Sequence, residues 1–231
     1  MKLIVFYGSP RKGNTFAATA IVLDALRSFG ELDCTEYHLP AAMPEFCTGC
    51  QACLSSPREH CPHAKYVDPI LADILAADAL LFASPHYGAS DMSAAMKNLL
   101  DHLDFLALNV APRSELFKKR ALVLTTGAGS TSAAGPLKRG LLGWGLNRVN
   151  VASCRMLTDK WINMPIIRQK QVARGLRRAA KWLYFTGPRR PLLPTRMRYH
   201  LAKFVLQRFV GEGAYPYEYW KGHGFFDRCP L

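Results

Sequence analysis

Apolar and polar positions along the first 185 residues fall into blocks that read in turn as strand, loop and helix. Residues 2–7 (Lys-Leu-Ile-Val-Phe-Tyr) are a nearly continuous apolar run, as a central parallel strand covered on both faces requires. Residues 16–29 then place Phe16, Thr19, Ala20, Leu23 and Leu26 at helical spacing, and Gly30 supplies a stop. Residues 33–38 are shorter and more polar, which suits an edge strand. The segment 39–67 leaves the regular pattern, in a loop long enough to need a functional reason. A helix over 68–77 leads into a buried strand over 78–83, and a long amphipathic helix over 90–108 precedes a strand over 119–125. A helix over 137–146, weakened by Gly140, Gly143 and Gly145, precedes a fifth strand over 148–156. A basic helix over 165–185 carries Ile166, Val172, Leu176, Ala179 and Leu183 on its apolar side.

Five strands alternating with helices predict an α/β fold, a doubly wound parallel sheet in the order 2-1-3-4-5 with the polar second strand at an edge. The chain divides into this sheet domain over 1–186 and a basic amphipathic extension over 187–231. In such sheets the ligand lies outside the carboxyl ends of the strands, so three loops are singled out. The first is Gly8-Ser9-Pro10-Arg11-Lys12-Gly13-Asn14-Thr15. Gly8 and Gly13 let its backbone turn tightly and approach a ligand, and the free N–H groups and positive dipole end of the next helix suit an anion. Its spacing comes within one residue of a nucleotide-hydrolysing phosphate loop, but Asn14 and Thr15 stand where such a loop has Lys and Ser or Thr. A terminal monophosphate held by Ser9, Asn14, Thr15 and backbone amides fits better. There is no Gly-x-Gly-x-x-Gly fingerprint for a dinucleotide pyrophosphate. The plainer alternative is an ordinary strand-to-helix turn with Asn14 as N-cap. The other two loops are Ser84-Pro85-His86-Tyr87-Gly88 and Thr126-Gly127-Ala128-Gly129-Ser130.

Composition sharpens this reading in two places. The seven cysteines are an odd number and four of them crowd between Cys47 and Cys61, which speaks for metal or redox chemistry over a secreted disulfide framework. With no run of about 18 apolar residues and an N-terminal apolar run too short for a signal segment, a cytoplasmic location is expected. The net charge of +13 is unevenly spread: residues 1–115 carry a net −5 and residues 116–231 a net +18. A basic half can serve nucleic acid, an anionic membrane surface or phosphorylated small molecules. No nucleic-acid-binding motif accompanies it, so no nucleic-acid partner is expected.

With the three loops in place, residues 1 to about 185 resemble the flavodoxin-like NAD(P)H-dependent FMN reductase family. The marks are Gly-Ser-Pro-Arg-x-Gly-Asn-Thr at 8–15, Ser-Pro-x-Tyr-Gly at 84–88, and Met96-Lys97 followed by Asp101. The resemblance implies an FMN whose phosphate lies on Ser9, Arg11, Gly13, Asn14, Thr15 and Phe16. Its isoalloxazine ring would rest against Pro85, His86, Tyr87 and Gly88, with Thr126, Gly127 and Gly129 along the polar edge. Arg11 offers a charge-assisted contact to a phosphate dianion, and Tyr87 an aromatic wall with a polar tip. His86 and Tyr87 are the candidate catalytic residues, His86 tuning the flavin, passing a proton, or simply standing in solvent. The resemblance also implies dimers or tetramers.

The cysteine loop is a second constellation. Cys47, Cys50 and Cys53 at x2 spacing can curl round one corner of a cube, with Cys61 closing it. This resembles the compact motif of iron-sulfur flavoproteins, which would make the four cysteines ligands of a 4Fe-4S cluster passing electrons to FMN. Zinc held by four thiolates and free or disulfide-exchanging thiols are the alternatives. Cys34, Cys154 and Cys229 read as packing residues. In the extension, Pro188-Arg189-Arg190-Pro191 and Pro194 form a stiff linker. A helix over 195–210 follows, with Met197, Leu201, Phe204, Val205 and Phe209 on its apolar side, and then an aromatic run over 215–226. That apolar side would either lie on an anionic membrane or dock on the domain or a neighbouring subunit. Three functions are therefore weighed. One is an FMN-dependent oxidoreductase taking hydride from NAD(P)H to a quinone, flavin, nitro compound or similar small-molecule acceptor. The second is an iron-sulfur flavoprotein fed by ferredoxin. The third is a non-catalytic flavin-binding redox sensor or membrane-associated protein.

Overall fold

Alternate residues of the first strand part to opposite sides, and helices cover both. The structure, a computed structural model, describes residues 1–57, 60–87, 91–128, 132–187 and 192–230. β1 (Lys2–Tyr7) sends Leu3, Val5 and Tyr7 into one apolar cluster and Ile4 and Phe6 into another. β3 (Ala79–Tyr87) divides its residues the same way, Leu81 and Ala83 against Leu80 and Phe82. A strand's side-chain period of two leaves no other way to bury a fully apolar run. α1 (Asn14–Phe29) and α7 (Ile166–Phe185) cover the Leu3 side. The Ile4 side is covered by α4 (Ala64–Ala76), α5 (Ala94–His102) and α6 (Ala134–Gly143). The remaining short helices of the body are α2 (Leu39–Ala42) and α3 (Ala52–Ser55), both within the cysteine loop.

The sheet runs β2-β1-β3-β5-β6, all parallel, with β2 (Asp33–His38) at one edge, beside β1, and β6 (Arg148–Arg155) at the other, beside β5 (Arg120–Gly127). Among the parallel strands this is the predicted order. A two-residue β4 (Asp91–Met92) pairs antiparallel with the end of β3, His86 opposite Met92 and Tyr87 opposite Asp91. That hairpin takes the start of the predicted 90–108 helix. Ser93 becomes the true N-cap, its side chain accepting from Met96 N–H, and a 3₁₀ turn over Asp104–Leu106 replaces the helix's last turns. α4 begins four residues before the expected Asp68. Pro69, best tolerated in a helix's first turn, sits at the sixth position of α4. α6 ends earlier than expected because Gly145 turns the chain at φ +87°, where a side chain would also strike Phe117 at 2.3 Å.

The C-terminal segment packs on the body. α8 (Leu193–Val205), its π-helical continuation Leu206–Val210, and α9 (Tyr215–Gly222) enclose a cluster of Tyr199, Leu206, Trp220 and Phe225 with Leu108 and Phe117 of the body. Asn147 Oδ1 accepts from Leu192 N–H at 2.6 Å and fixes the entry to α8; the linker over 188–191 lies outside the described residues. The face of α8 that docks is the opposite of the expected one. Thr195, Tyr199, Ala202 and Leu206 are buried, whereas Met197, Leu201, Phe204 and Phe209 are 55–72% exposed. The Tyr199 ring stacks on Trp220 and its hydroxyl donates to the Phe225 carbonyl, so partners some twenty residues downstream decide which face turns inward. Ile166, expected on the inner side of α7, is exposed at the helix's first turn.

Candidate functional site

The carboxyl ends of β1, β3, β5 and β6 open into one cleft of about 460 Å³. Its lining brings together Ser9, Arg11, Gly13, Asn14 and Thr15 with Pro85, His86, Tyr87, Thr126 and Gly127. Most residues expected from the three loops therefore meet in one place. Gly88 and Gly129 lie outside the described residues. Phe16 does not line the cleft; its ring packs against Tyr7, 5.5 Å between centroids, so only its backbone is available to a ligand there.

The local geometry explains how the sequence builds this cleft. Gly13 is the N-cap of α1 and has no side chain to cap it, so the helix's first amides and positive dipole end face the cleft without an internal acceptor. Gly8 serves packing more than turning. A Cβ there would stand 2.5 Å from Ser93 Oγ and 3.2 Å from Met96 Cβ, so the missing side chain is what lets the loop lie on α5. Ser9 Oγ accepts from Arg11 N–H at 3.2 Å and thereby shapes the loop. Thr15 and Thr126 hydroxyls, both buried, meet at 2.6 Å and tie the first loop to the third. Parallel register sets Pro85 beside Thr126, and β4 holds His86 and Tyr87 extended. His86 Nδ1 lies 3.1 Å from Ser132 Oγ.

A fourth loop, after β6, was not foreseen. Met156, Thr158, Asp159 and Lys160 complete the lining, and Asn14 Nδ2 donates to the Thr158 carbonyl at 2.8 Å to hold that loop over α1. Asp159 accepts from Asn163 at 2.8 Å, which holds its carboxyl below the usual value. The rule that ligands sit at strand carboxyl ends applied equally to the fifth strand and was the signal available. Lys12 also lines the cleft, so Arg11, Lys12 and Lys160 put three cations around the uncapped helix end.

The donor set fits FMN. Cations and free amides suit the terminal monophosphate, while the buried Asn14 Oδ1, with no partner of its own, can only accept a hydrogen bond and so suits a hydroxyl of the sugar-alcohol chain. Pro85, half-buried His86 and exposed Tyr87 line the same cleft and offer ring contacts to a flavin. A second cleft of about 430 Å³ along the outer edge of β6 against α7 lacks a helix N-terminus and lies off the strand ends.

The cysteine loop lies over α5. Cys47 N–H donates to Asn98 Oδ1 at 3.0 Å, and the same buried amide donates to the Glu45 carbonyl at 2.9 Å. Cys47 and Cys50 are exposed, Cys53 and Cys61 half-buried. Burial is the main cause that raises the Cys53 thiol above its ordinary value. Among the described residues no three His, Cys, Asp or Glu side chains stand in metal-holding geometry.

A family model described as NADPH-dependent FMN reductase matches residues 1–161. The chain belongs to this family. FMN and a nicotinamide donor are the cofactors of these reductases, and the match spans all four loops of the cleft. Two curated relatives are iron-sulfur flavoproteins. That of Archaeoglobus fulgidus is 28% identical over 128 residues, 55% of this chain and 60% of its own length. That of Methanocaldococcus jannaschii is 36% identical over 104 residues, 44% of this chain and 51% of its own. The chain thus spans half to three-fifths of the length of these relatives. Among solved structures, an NAD(P)H:quinone oxidoreductase from Methanothermobacter marburgensis superposes with a TM-score of 0.61 at 17% identity, over 79% of this chain and 96% of that one. At that identity the likeness speaks for the fold.

Proposed function

We propose that this reductase-family chain binds FMN in the four-loop cleft and uses it to pass hydride from NADH or NADPH to a small-molecule acceptor such as a quinone, free flavin or nitro compound. The observation that carries this reading is the uncapped N-terminus of α1 ringed by Arg11, Lys12 and Lys160, facing a wall of Pro85, His86 and Tyr87 across one cleft. FMN, when bound, supplies the hydride chemistry. The chain's own residues bind and orient. Arg11 and the α1 amides hold the phosphate, and the Thr15–Thr126 hydrogen bond keeps the two halves of the cleft in register. With Nδ1 engaged by Ser132, His86 has Nε2 left to hold or move a proton.

Flavin titration tests binding. The chain is expected to take about one FMN in preference to FAD. Arg11→Ala should weaken it about tenfold or more, the loss of a charge-assisted contact of roughly 1.5–3 kcal/mol. A protein that neither colours nor quenches flavin fluorescence on reconstitution would end this reading. Turnover is tested separately: NAD(P)H is expected to bleach the bound flavin and a quinone to restore it, with a rate that drops severalfold as salt screens the basic half from the anionic dinucleotide. No bleaching by either nicotinamide, with bleaching by reduced ferredoxin, would transfer the proposal to electron transfer.

The cysteine loop favours that second reading as an addition to the first. Four thiols at 47, 50, 53 and 61 are the donor type iron-sulfur clusters take, in a chain similar to two iron-sulfur flavoproteins, and a cluster would have to draw together sulfurs that stand in no metal-holding geometry here. Cys47, Cys50, Cys53 and Cys61 would be the residues holding a 4Fe-4S cluster, which would supply one-electron exchange with a partner such as ferredoxin.

A further inference from the structure

We infer that the outward face of α8 is a docking surface for an anionic lipid bilayer. The face is built, not incidental. Leu193, Met197, Leu201 and Phe204 recur at spacings of four, four and three, which on a helix aligns them in one stripe diametrically opposite the buried Thr195, Tyr199, Ala202 and Leu206. Phe209 extends the stripe through the π-helical turn and is 72% exposed. With its inner face already packed on the body, the helix is held rigid at the surface. Among the described residues nothing packs on the apolar stripe over roughly 20 Å of helix.

Charge decides what covers it. Helical spacing places Arg196 and His200 along one border of the stripe and Arg198 along the other, with Arg208 over the Phe209 ring at 5.9 Å. From Lys160 through Gly211 the chain carries thirteen Lys and Arg and no Asp or Glu. A second copy presenting the same face would set cations against cations on both borders. A nucleic acid would meet the cations but has no use for aliphatic Leu193, Met197 and Leu201. An anionic bilayer satisfies both features at once, the stripe entering the boundary between headgroups and acyl chains while the arginines stay among the phosphates. Among the described residues no helix is long and apolar enough to cross a membrane, so the contact is one of lying in the surface. This surface shares no residue with the four-loop cleft and stands whatever that cleft reduces.

The test is flotation of the full chain with vesicles of phosphatidylcholine alone and of phosphatidylcholine with about one-third phosphatidylserine. Binding to the anionic vesicles is expected to be roughly tenfold or more tighter than to the neutral ones and to weaken with salt. L201D/F204D, which alters only exposed positions, is expected to abolish it, and R196E/R198E to weaken it at low salt. Urea unfolding of each variant checks that the Tyr199 and Trp220 cluster is intact. Absence of binding to anionic vesicles at low salt overturns the inference. So does binding that survives L201D/F204D, which would be charge attraction alone. A concentration-dependent dimer that L201D/F204D dissolves, with no vesicle binding, would assign the face to a second copy and overturn it too.

Discussion

Trp220→Ala is expected to destabilise the folded chain by about 3–5 kcal/mol, in the range found when a fully buried large aromatic is truncated. Trp220 is 0% exposed, stacks on Tyr199 at 4.9 Å and meets Phe225 edge-on at 5.7 Å. Its cluster joins α8 and α9 to Leu108 and Phe117 of the body, so the cavity would open where the C-terminal segment meets the body. Its Nε1 has no hydrogen-bond partner, so the loss is one of packing. Trp220→Phe keeps most of the ring contacts and removes that unpaired N–H, and should cost about 1.5 kcal/mol or less. Urea unfolding of both variants reads the difference through the midpoint at constant slope. None of the cluster's residues lines the cleft, so FMN affinity should be unchanged in either. An alanine variant within about 1 kcal/mol of the parent would mean that the C-terminal segment contributes no core.

Much of the sheet was legible because burial on both faces writes continuous apolar runs, and residues 2–7 and 79–83 could be little else. The three glycine-bearing loops were legible for a related reason: their position after strands fixes where they gather, whatever their internal shape. What the sequence hid was long-range. The segment after β6 carries no glycine motif to draw attention to it; its place at a strand's carboxyl end brings Thr158, Asp159 and Lys160 to the cleft, and the Asn14 side chain, 144 positions away, donates to the Thr158 carbonyl. The face of α8 was misread because both sides carry large apolar residues. Stripe spacing alone cannot choose between Leu201 with Phe204 and Tyr199 with Leu206; the docking of Trp220 and Phe225 does. β4 is two residues long, too short to leave a pattern, and exists through its pairing with the end of β3.

Serine at any one of Cys47, Cys50, Cys53 and Cys61 is expected to remove most of the iron from a chain that, purified without oxygen, should hold about four iron and four sulfide beneath its flavin bands. A hydroxyl is a poor donor to iron where a thiolate is required, so the effect should be close to all or none. The other cysteines provide the contrast. Cys34 lies in β2, Cys154 in β6 and Cys229 in the C-terminal segment, all outside the 47–61 loop, so serine at any of the three should leave the iron in place. Asn98→Ala gives an intermediate case: it keeps every thiol but frees the Cys47 amide and the Glu45 carbonyl, so iron should load but be lost faster to a chelator. Flavin content should be preserved in all of these variants, since no cysteine of the loop lines the cleft. One-electron exchange with an iron-sulfur partner is what should disappear. Should anaerobic protein lack iron and sulfide, and chemical reconstitution fail to install them, the cluster reading falls. Residues 39–67 would then be a covering loop pinned at its base by Asn98, and hydride transfer from NAD(P)H would stand as the sole proposed electron input.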